Sequence, residues 1–224
     1  MNDFRRMVSW GTLFLMMAVL PLRAEDTGLD FEKTKAAAEA GDATAQTRLA
    51  WMYQEGRGVS KDEVQASQWY LRAAEKGEPI AQNNLAGFYV DGRGVKKDHA
   101  EAAKWYRKAA DQNVSSAQNS LGWMYIRGQG VPKDAIEAAA WFKKAAEGGN
   151  AKAQINLGEM LFQGEYFAPD WVEAYKWFMI AAAQGDKEAR QNRDHLAQMM
   201  PYEKIDEGRA RAQTFLQSST GPQK

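Results

Sequence analysis

The chain has 224 residues, enough for one domain or a short repeat array, and 45% of them are apolar, so a sizeable core can form. Lys and Arg number 29, as do Asp and Glu, so the formal charge is zero and the basic excess of a nucleic-acid binder is missing. Cysteine is absent and only His99 and His195 occur, which excludes disulfides, thiolate metal sites, a cysteine nucleophile and a histidine-rich metal centre.

Residues 1–24 read as a secretory signal peptide. Arg5 and Arg6 open it, an apolar stretch runs from Met7 to Leu20, and Pro21 ends that stretch. Leu22-Arg23-Ala24 places a small residue at a cut after Ala24, although Leu22 is larger than the ideal residue at its position. The apolar stretch is shorter than the roughly 20 residues of a spanning helix. The expected address is the periplasm or the exterior, with an uncleaved membrane anchor as the alternative. Without Asp3, Arg5, Arg6 and Arg23 the remainder holds 26 basic and 28 acidic side chains, a net −2.

Residues 25–41 then read as half of a repeat unit. Phe31 to Gly41 has the pattern of a single helix, with Ala37-Ala38 and Gly41 in register with the paired alanines and closing glycine of the later copies. From residue 42 to 188 the sequence repeats four times with a period of 36. Ala45-Gln46, Ala81-Gln82, Ala117-Gln118 and Ala153-Gln154 mark the start of each copy. Leu49, Leu85, Leu121 and Leu157 keep the same step, as do Gly56, Gly92, Gly128 and Gly164. Trp69, Trp105, Trp141 and Trp177 come next, each with Tyr or Phe behind it, and paired alanines close each unit.

Each copy predicts two helices. Helix A, residues 43–55 in the first copy, gathers Ala45, Leu49, Met52 and Tyr53 on one face at 100° per residue. Gly56 supplies the left-handed residue that stops it, and Gly58 lets the chain turn. Asp62 caps helix B, with Gln65 three positions on; Asp98 with Glu101, Asp134 with Glu137 and Asp170 with Glu173 repeat the layout of a reciprocal capping box. Helix B buries Ala66, Trp69, Tyr70 and Ala73 and ends at Gly77, with Asn113, Gly149 and Gly185 at the same place later. Residues 189–216 read as capping helices, with Pro201 at the first position of the last one, and 217–224 as a disordered tail.

The run Ala-Gln-x-x-Leu, Gly-x-Gly-Val, Asp-x-x-x-Ala and Trp-(Tyr/Phe)-x-x-Ala-Ala strongly resembles the Sel-one-like repeat (SLR) family, a relative of the tetratricopeptide repeat. The resemblance covers residues 42–188. It implies an all-α, right-handed α–α superhelix, a solenoid of 36-residue helix-turn-helix units with a concave inner surface. It also implies an adaptor that binds a peptide or protein in that groove, and no enzyme.

The recurring residues are expected to build the fold. The Gly pairs lie between two helices and lack the strand and the Gly-Lys-Ser/Thr ending of a phosphate loop. The capping aspartates recur once per unit instead of converging on one site. The four tryptophans of helix B read as packing, with a binding ladder as the alternative. His99 stands next to the capping Asp98, so exposure is expected, and neither histidine belongs to a serine and carboxylate arrangement. The residues imply no cofactor and no metal site.

Positions that vary between copies are free to specify a partner. On helix A, opposite the Leu–Tyr stripe, stand Thr47, Trp51 and Gln54, then Asn83, then Asn119, Trp123 and Ile126, then Glu159. In the tetratricopeptide relatives this face lines the groove. Trp51 and Trp123 are the candidate anchors, and Asn83 and Asn119 the candidate hydrogen-bonders to an extended backbone; the competing reading is that both Trp side chains fill gaps between A helices. In the fourth copy Tyr166 replaces the second glycine and Phe167 the valine, so the turn must take another path. A cysteine-rich branch of the family is β-lactamase-like, but this chain has neither its cysteines nor a Ser-x-x-Lys motif. Recognition of peptidoglycan or a muropeptide, through Trp rings stacked on sugar, is the second expectation for the partner.

Overall fold

The computed structural model describes residues 24–220, and side chains from 30 to 218. Residues 1–23 of the expected signal segment and 221–224 of the expected tail lie outside the described residues. Among the described residues there are eleven helices and no strand: α1 (Ala24–Glu39), α2 (Ala43–Glu55), α3 (Glu63–Glu75), α4 (Pro79–Asp91), α5 (His99–Asp111), α6 (Ser115–Arg127), α7 (Ala135–Glu147), α8 (Ala151–Gln163), α9 (Trp171–Ala183), α10 (Lys187–Ala197) and α11 (Tyr202–Thr220). Even-numbered helices from α2 to α8 are the A helices and odd-numbered ones from α3 to α9 the B helices. Each packs chiefly on its neighbours in sequence, which makes an α-solenoid; α9 also takes α11 against it.

Turn chemistry sets the helix boundaries. Gly56, Gly92, Gly128 and Gly164 stop the A helices with φ between 64° and 76°. Asn113 is the one non-glycine residue at positive φ (64°) among the described residues, and it stands where the other copies have glycine. The aspartate caps form, but only in one direction. Asp98 Oδ1 accepts from the Ala100 and Glu101 amides at 2.9 and 3.0 Å. The Glu101 amide, the largest influence, holds the Asp98 carboxyl below its ordinary range. The reciprocal half of the capping box is absent because the aspartate's own N–H is already used. It donates back to helix A, Asp62 to Tyr53 O and Asp98 to Tyr89 O at 2.9 Å, and Asp134 to Tyr125 O at 3.0 Å. That bond closes the turn between the two helices of a unit.

The core runs along the solenoid as a chain of leucines and aromatics. Leu49, Leu85, Leu121 and Leu157 are buried, and the four helix-B tryptophans are at most 8% exposed, so they pack and form no binding ladder. A cation covers the outer face of each: Arg72 on Trp69 at 4.3 Å, Lys108 on Trp105 at 3.9 Å, Lys144 on Trp141 at 4.1 Å and Lys176 on Trp177 at 4.2 Å.

Units are tied by the repeated glutamine, for which the sequence suggested no role. Gln46, Gln82, Gln118 and Gln154 are buried, and each Nε2 donates to the carbonyl of the residue eight positions earlier, Ala38, Ala74, Ala110 and Ala146, at 3.0–3.1 Å. Each bond joins an A helix to the last turn of the preceding B helix, and the Ala38 bond places α1 as the B helix of the half unit. Gln82 Oε1 also accepts from Gln112 Nε2 at 2.8 Å. Gln82→Leu is expected to lower unfolding free energy by about 1–3 kcal/mol, because buried polar groups lose their partners. Urea titration followed by circular dichroism measures it; no change would leave the clasp without energetic weight.

Three further sequence expectations are corrected. α11 continues to Thr220, so residues 217–220 are helix and not tail. Pro201 takes the cap position instead of the first helical one, its carbonyl accepting from the amides of Lys204 and Ile205 at 3.0 and 3.2 Å. His99 is half-buried and not exposed, because the next turn lies against it; its Nδ1 is buried without a hydrogen-bond partner.

Candidate partner-binding groove

The A helices present one row of side chains away from the core. Trp51 and Trp123 project from this row, 43% and 37% exposed. They are not sealed into gaps between A helices. Arg57 lies over the Trp51 ring at 5.8 Å, and Arg127 over the Trp123 ring at 4.9 Å.

Several polar members of the predicted row are already engaged. Thr47 Oγ1 lies 3.0 Å from Glu78 Oε2, which ties α2 to the cap of α4. Asn83 Oδ1 accepts from Ser116 at 3.3 Å, and Asn119 Oδ1 accepts from Asn156 Nδ2 at 2.8 Å. Glu159 Oε1 accepts from Asn192 Nδ2 at 3.2 Å. Thus Asn83 and Asn119 link successive A helices, and Glu159 links α8 to α10. Gln54 Oε1 accepts from the Tyr70 hydroxyl at 3.1 Å; burial pushes that hydroxyl up to about 12, so it stays a donor.

The structure draws part of the predicted set together. Trp123, Ile126 and Glu159 share the wall of one cavity of about 220 Å³. Asn119, Trp123 and Glu159 share a second of about 260 Å³, formed by α6, α8 and the start of α10. Thr47, Trp51, Gln54 and Asn83 line neither. Phe142 shapes the first cavity: its ring lies over Gly122, where a Cβ would come within 2.6 Å of it, and meets Trp123 edge-on at 5.7 Å. The first two copies carry Ala with Tyr at these places (Ala50 and Tyr70, Ala86 and Tyr106), the last two Gly with Phe.

Tyr166, Glu165, Asn156, Asp186 and Glu188 join the walls without having been singled out for this face. The signal at Tyr166 was its break with the repeat. Gly58, Gly94 and Gly130 have positive φ and Tyr166 does not, so the fourth turn does take another path. Its end is kept in space, with Asp170 N–H donating to Leu161 O at 2.9 Å. Tyr166 and Phe167 fold back onto the core instead of projecting from it.

The charged groups on these walls are mostly carboxylates. Glu159 and Glu165 line the first cavity, and Glu159, Asp186 and Glu188 face the lone Lys152 in the second. Burial, and then Glu188, raise the Glu159 carboxyl above its ordinary range, while the Asn192 hydrogen bond opposes them. Among the described residues no group of three or more His, Asp or Glu could hold a metal ion, and no helix is long and apolar enough to cross a membrane.

Stacked helical hairpins with one row of A-helix side chains turned away from the core define an α-solenoid repeat scaffold. The family model of the Sel1 repeat matches four times, at residues 43–78, 79–114, 115–150 and 151–186, and the chain belongs to that family. The solved structure of a Sel1 repeat protein from Oxalobacter formigenes is 33% identical, over 87% of this chain and 79% of that one, with a TM-score of 0.74. Two further structures share the fold. A protective antigen of uropathogenic Escherichia coli strains displaying an SLR fold is 24% identical, over 88% of this chain and 60% of that one, with a TM-score of 0.52. The immunity protein Pa5087 from Pseudomonas aeruginosa is 21% identical, over 84% and 74%, with a TM-score of 0.51. No curated protein sequence matches the chain.

Proposed function

We propose that this Sel1 repeat protein is an exported, non-catalytic adaptor that holds an extended segment of a protein partner along the inner row of its A helices. The family's general use as a protein-interaction scaffold supports the class of function. The exposure of Trp51 and Trp123 on that row carries the reading. Four tryptophans at a fixed register are spent on packing, whereas these two stand at variable positions in partial contact with water. Large aromatic side chains left accessible on a rigid face are typical binding anchors. Export rests on the pattern of residues 1–24 and puts the partner in the periplasm or outside the cell.

The test is affinity capture of partners from an envelope extract by residues 25–224, beside Trp51→Ala with Trp123→Ala. Neither ring fills the core, so helicity is expected to stay while capture falls about tenfold or more, two anchors at roughly 1 kcal/mol or more each. Undiminished capture by the double variant refutes the groove. A pull-down on isolated peptidoglycan separates the glycan alternative, which the two Trp rings also suit; retention there, lost with the rings, moves the assignment to the cell wall.

A further inference from the structure

We infer that the cavity beside Trp123 receives the basic side chain of an arginine in the partner's extended segment. This deepens the adaptor reading and rests on it.

Size comes first. About 220 Å³ falls below the range of cofactor and drug-sized sites, so the cavity suits a single long side chain. Its chemistry is divided. Trp123, Ile126, Phe142 and Met160 give it apolar walls, against which a methylene stem can lie. Glu159 and Glu165 give it two carboxylates, and no Lys or Arg lines it. The neighbouring cavity shares Trp123 and Glu159 and adds Asp186 and Glu188 against Lys152 alone, so an incoming cation meets the same sign along the approach. An acidic segment would be repelled there, and a purely apolar one would strip water from carboxylates and give nothing back.

Arginine fits this division better than lysine. Its guanidinium stacks on an aromatic face while bonding a carboxylate in two places, and it is the more weakly hydrated cation. The chain already lays Arg127 on the Trp123 ring at 4.9 Å, which shows that the ring accepts a guanidinium. Arg127 is not among the cavity's walls, so its place is outside the proposed seat. Glu159 is suited to the role because its partial burial leaves the carboxylate under-solvated, with one Asn192 hydrogen bond at 3.2 Å. Tyr166, the departure from the glycine of the other copies, supplies a further aromatic wall.

The probe is the blocked pentapeptide Gly-Ala-Arg-Ala-Gly, titrated into isotope-labelled residues 25–224 and read by amide and indole NMR shifts. Analogues with norleucine or glutamate at the centre serve as controls. The arginine peptide is expected to shift the Trp123 indole and the amides of Glu159 and Tyr166. It should bind about tenfold tighter than the norleucine peptide, as a desolvated cation–π contact with a charge-assisted bond implies. Glu159→Gln should remove most of that advantage and leave other shifts in place. Tyr166→Gly, which restores the residue of the other copies, should weaken binding while the fold is kept. Equal binding of the norleucine peptide, shifts located elsewhere, or no binding at millimolar peptide would each overturn the arginine seat. If partner capture from the envelope extract still depends on Trp51 and Trp123, the adaptor reading survives that failure; if it does not, both fall.

Discussion

Gly130→Ala is expected to destabilise the chain by about 3–5 kcal/mol, near the top of the range for a single substitution. Two causes act at one atom. Gly130 has φ +72°, where a side chain is strained by roughly 1–2 kcal/mol. A Cβ there would also stand 2.0 Å from His99 O and 2.3 Å from His99 C. The obstacle is backbone at the start of α5, not the end of a flexible side chain, so the third turn and the second B helix must move apart. Gly94 is in the same position against Glu63 O, at 1.9 Å. Gly149→Ala is the matched control. Its φ is +85° but nothing lies within 4 Å of a Cβ, so only the conformational strain remains. Native Asn113 already tolerates a side chain at that register. Urea denaturation of both variants measures the difference, and equal losses would show that the close approach between repeats costs nothing.

That glycine also shows what the sequence could and could not tell. A second glycine in each turn signals a left-handed residue, which is local and readable. Its contact with the preceding B helix is a relation between units, and no periodicity reports it. The repeated Gln behaves alike: its recurrence was plain, but its bond to a carbonyl eight residues back exists only once the hairpins stack. The capping box was half legible for the same reason, since the aspartate's N–H is claimed by a helix-A carbonyl across the turn. On the A helices, variability between copies singled out Trp51 and Trp123, and both are exposed. It could not show that Asn83 and Asn119 are tied to the next A helix, nor that Tyr166 comes to the Trp123 cavity, because both depend on the spacing between neighbouring units.

Trp177→Ala is the other substitution with a large expected effect, about 3–5 kcal/mol, and its location matters as much as its size. Trp177 is 1% exposed and sits where α9 meets the cap, edge-on to Phe215 at 5.3 Å and in one cluster with Leu157, Met160 and Ala212. Each helix of this solenoid packs mainly on its neighbours, so stability is a sum of nearest-neighbour contributions and damage stays near its source. Native-state hydrogen exchange is therefore expected to speed up in α8 to α11 first, with α2 to α5 keeping their protection. Trp69→Ala should produce the mirror image, opening the first units and sparing α8. Uniform loss of protection in either variant would show that the array unfolds as one cooperative body. The distinction reaches the groove, because Glu159 and Met160 of α8 form one side of the Trp123 cavity. If the array frays locally, Trp177→Ala should abolish arginine-peptide binding at a temperature where Trp69→Ala still binds, although neither residue lines the cavity.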